Sequence, residues 1–357
     1  MNIIDKLKSF FLGLSKKNQQ LYFPVNNTTI KNENSIKKYA VKLAENPKEP
    51  TLEECIDEFV KQYLVQENFN SKSKNKAYNA FTLMFCAQEE EMENNLTNQM
   101  RLKAFVQKNG YNTTPQISND RIVFMHIAGK TGIDEKKDHD VEKLYINCER
   151  KNIALLTAAI FNQIRDVAGD KLQMKCISEQ YLEDFKQAEA QKKIKNYQRN
   201  DKIVIYAENH AKAEIIAEKI NSLRLKNPHL FSTTKTSPLL PKKCGFIGTA
   251  KNEMSFHAKT PLGHASGSTY NDFLSDIMFQ SVIAGFDDNI SGTSNGHDLT
   301  PEERMSEYAS IYNEMILEQK NAIINKSKDI FLQICRENNV NTIFTPISEK
   351  QKEQQQK

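Results

Sequence analysis

Two stretches of sequence decide the fold: LQMKCIS at residues 172–178 and KIVIYAENHAKAEIIAEKI at residues 202–220. The first is typical of a β-strand. The second predicts a strand followed directly by a helix, because the apolar run IVIY gives way to apolar residues at helical spacing. A polar helical run is predicted between them, over residues 179–194. This strand, helix, strand, helix order predicts βαβ crossovers and therefore some parallel pairing.

The same alternation begins upstream. Residues 121–128 (RIVFMHIA) and 144–148 (LYINC) are predicted strands, and residues 153–164 are predicted to form a helix rich in Ala, Leu and Ile. A Gly-Lys-Thr sequence at residues 129–131 follows the first of these strands. We interpret it as a turn, because the first glycine of a phosphate-binding P-loop would fall at Phe124.

The flanking regions are predicted to be mainly helical. Apolar residues recur at helical spacing in four further segments, residues 51–64, 76–108, 271–284 and 302–338. Between residues 228 and 267, Pro and Gly residues mark turns, and short strands are predicted at residues 246–250 and 254–258.

These elements predict an α+β or α/β fold. We expect a mixed sheet with βαβ units in the middle and C-terminal half, flanked by a mainly helical N-terminal region and by C-terminal helices. The predicted divisions are a helical region at residues 1–115, an α/β domain with C-terminal helices at residues 116–347, and a disordered tail at residues 348–357.

Composition argues against several classes of function. The 49 basic and 45 acidic residues leave a net charge of only +4, and no Lys/Arg run alternates with aromatic residues, so we expect no nucleic-acid partner. The sequence contains no run of about 18 apolar residues, so we expect no segment that spans a membrane. The N-terminal residues 1–17 are a poor signal peptide and are predicted to form an amphipathic helix packed on the body. The six widely spaced cysteines predict buried thiols and neither a zinc site nor a disulfide scaffold.

Polar residues interrupt the predicted strands in a recurring pattern. One strand reads x-Y-x-N, the next contains a lysine, and Y-x-R-x-D then leads into an apolar strand that ends in Tyr. The residues concerned are Tyr145, Asn147, Lys175, Tyr197, Arg199, Asp201 and Tyr206. In order and spacing they resemble the HopA family of type III secreted effectors of plant-pathogenic bacteria. The domain of that family also appears as the lyase component of class V lanthipeptide synthetases.

The resemblance covers residues 143–283. A later turn-rich segment also fits the family, through Pro241, Gly245, Gly248 and Ala250. Where the family has a Ser-aromatic-Gly turn followed by an Arg, this chain keeps only the glycine, Gly267, and has Tyr270 at the position of the Arg. This departure favours a protein that binds a partner without catalysis through that loop.

The resemblance implies a secreted bacterial effector that is cytoplasmic in the bacterium before delivery into a host cell. The implied partners are a host protein or phosphopeptide and a secretion chaperone, and no cofactor or metal is implied. The implied activity is that of a lyase acting on phosphoserine or phosphothreonine. Two hypotheses follow from it, this lyase-like enzyme and a catalytically silent host-binding effector. A third, a nucleotidyl transferase, is suggested by His210 and Glu214.

In the lyase hypothesis, Lys175 abstracts the α-proton of the phosphorylated residue, which requires a desolvated amine. Arg199 binds the departing phosphate through its planar guanidinium, with Asp201 beside it, and Tyr197 orients or protonates the phosphate. The structural alternatives are an exposed lysine on the other face of the strand and an Arg199–Asp201 salt bridge beside a packed tyrosine.

The leaving group also needs an acid. Two histidines are candidates: His257, in the alternating segment MSFHA, and His264, in the Gly-rich loop, where it would also contact the substrate.

His210 and Glu214 form a separate candidate site. Their i, i+4 spacing places imidazole and carboxylate on one helix face, so the Glu could orient the His as a base or nucleophile. The pattern is similar to the S-H-x-x-x-E motif of phosphoryl-AMPylase effectors, which suggests transfer of AMP. It supplies only two ligands, so no metal site is predicted.

Overall fold

The computed structural model of the protein describes residues 49–67, 74–85, 95–118, 122–133, 140–178, 200–231, 237–251, 256–290 and 299–346. The predicted N-terminal helix at residues 1–17, the predicted helix at residues 179–194 and the predicted tail at residues 348–357 lie outside these ranges. The division into domains stays a prediction.

The described helices are α1 (Leu52–Glu67), α2 (Lys74–Leu83), α3 (Asn95–Lys108), α4 (Ile153–Ala168), α5 (His210–Lys226), α6 (Tyr270–Asn289), α7 (Pro301–Tyr312) and α8 (Leu317–Glu337). The described strands are β1 (Asn112–Ser118), β2 (Ile122–Ala128), β3 (Glu142–Ile146), β4 (Gln173–Ile177), β5 (Ile203–Ala207), β6 (Lys242–Lys243), β7 (Ile247–Lys251), β8 (Phe256–Thr260) and β9 (Gly263–Gly267). Strands β1, β6 and β9 were not expected from the sequence.

Seven strands form one sheet in the order β1-β2-β4-β5-β3-β7-β6, and β8 and β9 form a separate hairpin. The predicted α+β class is confirmed. The expected parallel pairing is wrong, because each pair of neighbouring strands among the described residues is antiparallel.

The connection through helix α4 shows why the predicted parallel pairing is not found. It connects β3 to β4, and these two strands run in the same direction, as a crossover helix requires. However, β5 lies between them and pairs antiparallel with both. The crossover predicted from the sequence is therefore present, but the strands that it joins are not neighbours.

Helices cover both faces of the sheet. Leu144, Met174 and Ile205 belong to an apolar cluster with α3, α4 and α5. Tyr145, Val204 and Tyr206, whose side chains alternate with the first set along the strands, belong to a second cluster with α1, α2 and the C-terminal helices. Because both faces are covered, the central strands read as nearly continuous apolar runs.

The Gly-Lys-Thr turn after β2 packs against the end of α4. The backbone N–H groups of Thr131 and Gly132, and the Thr131 hydroxyl, all donate to the Asp170 carbonyl. These donors face a protein oxygen, which fits the interpretation of this segment as a turn rather than a phosphate cradle.

Among the described helices, none combines the length and apolar character that crossing a bilayer requires. Helix α6 is nevertheless largely buried, and its Gly285 lies against α8. A Cβ atom on Gly285 would lie 2.1 Å from the Ser327 hydroxyl oxygen and 3.0 Å from the Ser327 backbone nitrogen. The close approach of these two helices therefore depends on a residue without a side chain.

We expect Gly285→Ala to lower the free energy of unfolding by about 1–3 kcal/mol, because the added methyl group overpacks the contact. At a helix position with free space, alanine would instead be more stable than glycine by about 1 kcal/mol. Urea denaturation of the purified protein measures the change. The matched variant is Ser327→Ala, which removes a buried hydroxyl without a hydrogen-bond partner in the described part of the chain. In the double variant, Ser327→Ala should restore part of the free energy of unfolding that Gly285→Ala removes. If Gly285→Ala alone stabilised the protein, the packing argument would be wrong.

Candidate functional site

One face of the central sheet carries polar side chains among apolar ones. The strand register determines which side chains share this face, because directly paired residues of neighbouring strands point to the same side. We call this surface the lysine face and define it by His126, Lys143, Lys175 and Tyr206. The face lies on the side of Tyr145 and Val204.

Lys175 lies in β4 at the middle of the lysine face and is half-buried. Its ammonium nitrogen is 4.8 Å from the centre of the Phe124 ring and 5.9 Å from the centre of the Tyr206 ring. The Lys143 ammonium is 5.1 Å from the centre of the same Tyr206 ring. Two positive groups, one from β3 and one from β4, therefore lie beside the same aromatic side chain of β5.

His126 was not recognised as a candidate in the sequence. In the structure it pairs directly with Lys175 across β2 and β4. Directly paired residues have Cβ atoms about 4.5–5.5 Å apart and project to one face, so the imidazole and the amine are neighbours. The available signal was a single polar residue in the apolar run RIVFMHIA, and only the strand register shows what it faces.

Two residues from the predicted phosphate site, Tyr197 and Arg199, lie outside the described residues. Asp201 is described and is buried. His257 and His264 are exposed on the β8–β9 hairpin, where they pair with Ser266 and Lys259. The structure therefore places these two histidines on a different sheet from Lys175.

Tyr270, at the position where the family has an arginine, has a structural setting of its own. Its hydroxyl donates to the Asn341 carbonyl, and its ring packs edge-on against Phe256, with centroids 5.2 Å apart. These contacts join the start of α6 to the hairpin and to the chain that follows α8.

Lys202 joins two of the segments on which the family resemblance rests. It follows Asp201, and its ammonium donates to the Asn147 side-chain oxygen at 3.2 Å and to the Cys148 carbonyl at 2.8 Å. Its exposed fraction is only 2%. The residue that follows Asp201 thus contacts the x-Y-x-N segment, which is distant in sequence, at one end of the sheet.

The second candidate pair, His210 and Glu214, lies in the first turns of α5. Asn209 caps this helix by accepting from the Lys212 N–H at 2.9 Å. The His210 Nε2 atom is 3.5 Å from a Glu214 oxygen, as the i, i+4 spacing predicts. The preceding Glu208 binds Lys171 and Lys212, and these hydrogen bonds hold its pKa below the usual value.

The structure adds three residues to the His210 pair that the sequence did not reveal. The Nδ1 atom of His210 is 2.8 Å from a carboxylate oxygen of Glu142 in β3. The Lys243 ammonium is 3.1 Å from the other Glu142 oxygen and also binds Glu214. The Thr249 hydroxyl donates to Glu142 as well. We call these five residues the Glu142 network.

The Glu142 network and the lysine face lie on opposite sides of the sheet, because Glu142 and Lys143 are consecutive residues of β3. They cannot form one site. Both ring nitrogens of His210 face carboxylates, whereas a nucleophilic imidazole must present a free lone pair to its target. This arrangement favours a role in fastening α5 to β3, β6 and β7.

In the described part of the chain, no group of three or more His, Cys, Asp or Glu side chains is arranged to hold a metal ion. Cys55, Cys148, Cys176 and Cys335 are buried, as predicted, whereas Cys244 is exposed in the β6–β7 turn. Burial raises the pKa of Cys176 and of Cys335 to about 12, so these thiols are poor nucleophiles.

Comparison with known proteins adds little to this picture. No family model matches the chain, and no curated protein sequence matches it. The matching solved structures include an effector protein from Pseudomonas syringae pv. syringae strain 61, at 15% identity and a TM-score of 0.39, with 76% of this chain and 98% of that chain covered. They also include an effector protein from Pseudomonas syringae pv. tomato strain DC3000, at 15% identity and a TM-score of 0.37, with coverages of 78% and 95%. At these scores the likeness supports no functional argument.

The Glu142 network gives a stability prediction. Glu142→Ala should lower the free energy of unfolding by about 3 kcal/mol, because it leaves buried Lys243 without one of its carboxylates. Glu214→Ala is the matched control, since the Glu214 side chain is 49% exposed and its loss should cost at most about 1 kcal/mol. Chemical denaturation of both variants measures the difference, and equal effects would show that the buried carboxylate does not fasten the helix.

Proposed function

We propose that the protein is a secreted bacterial effector that acts on host proteins, and that the lysine face is a lyase-like site for phosphoserine or phosphothreonine. The observation that carries this proposal is the direct pairing of His126 with Lys175. A β-elimination needs one group that removes a proton and one that delivers a proton, both near the same substrate carbon. Neighbouring residues on one sheet face meet this requirement.

In the proposed reaction the Lys175 amine removes the α-proton of the phosphorylated residue. The electron pair of that C–H bond forms the Cα=Cβ double bond, and the Cβ–O bond to the phosphate breaks. His126 delivers a proton to the departing phosphate oxygen. The products are a dehydroamino acid within the peptide and inorganic phosphate, with Lys175 left as an ammonium group.

The surroundings of Lys175 fit this role. A lysine can act as a general base when its amine lies within reach of the proton that it removes. The Phe124 and Tyr206 rings cover part of the Lys175 amine, and Lys143 approaches Tyr206 from β3. A second ammonium in this region would also attract the dianionic phosphate, since positive groups aimed at developing charge stabilise the transition state. Roles for Tyr197, Arg199 and Asp201 at the phosphate remain part of the proposal.

The effector assignment rests on the family resemblance of residues 143–283. It includes type III secretion, delivery into a host cell from the bacterial cytoplasm, a secretion chaperone as a transient partner, and a host phosphoprotein as the substrate. The silent binding module is the first alternative, and the contacts of Tyr270 favour it, because that side chain is fixed by Asn341 and Phe256.

We expect the full-length protein to convert a phosphothreonine peptide into a dehydrated peptide with release of inorganic phosphate, as measured by mass spectrometry and a phosphate assay. Lys175→Ala and His126→Ala should each lower the rate by about 100-fold or more, because each removes an acid–base group. Lys171→Ala is the matched control, since Lys171 pairs with Glu208 at the surface.

Other outcomes separate the alternatives. Release of phosphate with an unmodified threonine as product would indicate a phosphatase, and the lyase proposal would be wrong. Phosphopeptide binding without turnover would support the silent module. Addition of AMP to a phosphorylated target, lost in His210→Ala, would support the transferase.

A further inference from the structure

The position of Lys202 is not explained by the proposed reaction. Its ammonium lies in the interior, at 2% exposure, and contacts the chain that leaves β3. Burying a cation costs free energy, and an apolar residue of similar shape is often as stable or more stable at such a position. Stability alone therefore gives no physical reason for a lysine here.

Lys202 contacts both neighbours of the central strand. Its backbone carbonyl accepts from the Ile177 N–H at 3.0 Å, which extends the β4–β5 pairing. Its side chain reaches Asn147 and Cys148 at the end of β3. The Asn147 oxygen also accepts from the Cys148 N–H at 2.9 Å, so one side-chain oxygen fixes the turn and receives the ammonium.

This contact bears directly on the lysine face. Strand β5 separates β4, which carries Lys175, from β3, which carries Lys143. Each of the two ammonium groups lies within 6 Å of the centre of the Tyr206 ring in β5, at 5.1 Å for Lys143 and 5.9 Å for Lys175. Any slip of β3 against β5 would therefore move Lys143 relative to Lys175, even with both side chains intact.

We propose that Lys202 is a positioning residue for the lysine face: its hydrogen bonds to Asn147 and Cys148 fix β3 against β5 and thereby Lys143 against Lys175. The catalytic consequence rests on the proposed lyase function, whereas the structural contact does not. Lys202 does not touch the substrate. Its loss should therefore lower kcat and leave KM nearly unchanged, as expected for groups that lose orientation.

The test compares Lys202→Met with Asn147→Asp in the full-length protein. Lys202→Met keeps the length of the side chain and removes the ammonium, and it should remain folded with a somewhat lower melting temperature, because the Asn147 and Cys148 oxygens lose a donor. We expect its kcat on the phosphothreonine peptide to fall between about tenfold and 100-fold, since displacements of about 1 Å have effects of this size. Asn147→Asp keeps an acceptor for Lys202 and should retain kcat within a few-fold of the wild-type value.

A second measurement does not depend on turnover. Hydrogen–deuterium exchange should be faster at residues 143–148 in Lys202→Met and unchanged in Asn147→Asp. Unchanged exchange in Lys202→Met, or a wild-type kcat, would overturn the positioning role. Failure of Lys202→Met to fold would show that the ammonium serves stability instead. If the wild-type protein eliminates no phosphate but exchange accelerates in Lys202→Met, the contact is supported and the lyase proposal is wrong.

Discussion

The register of β5 between β3 and β4 is the constraint on which the rest of the structure depends. Side chains alternate along a strand, so this one register determines, for all three strands, which side chains lie on each face of the sheet. One face receives Leu144, Met174 and Ile205 and packs on α3, α4 and α5. The other receives Tyr145, Val204 and Tyr206 together with the lysines. A slip of one residue would place lysines against the helices that require apolar contact.

The two polar clusters use buried charge in different ways. In the Glu142 network, carboxylates, an ammonium and an imidazole bind one another, so the charges are compensated within the cluster. Such a network can fasten a helix to a sheet. On the lysine face, two ammonium groups lie beside aromatic rings. Positive groups on one surface attract anions, so this face is the candidate that we propose for an anionic ligand.

Sequence reasoning identified the described elements of the central β3–α5 region but only part of the candidate site. Lys175 was recognised because a lysine interrupts an apolar strand, and His210 with Glu214 because helical spacing fixes their separation. His126 and Glu142 were missed, since each acquires its partner from a residue about 50 or 70 positions away. The expected parallel pairing was wrong for the same reason: local alternation shows that a crossover exists and does not show that β5 enters between the connected strands.

The sequence by itself determined the strands and helices of the central region, the α+β class and the chemical types at the suspected positions. These follow from periodicity and from local preferences, which act over a few residues. Only the tertiary structure decided which polar residues share a face: His126 with Lys175, Lys143 with Lys175 around Tyr206, and Lys202 with Asn147. The physical reason is that strand order and register are set by the packing of the whole sheet between its two layers of helices, to which distant segments contribute together.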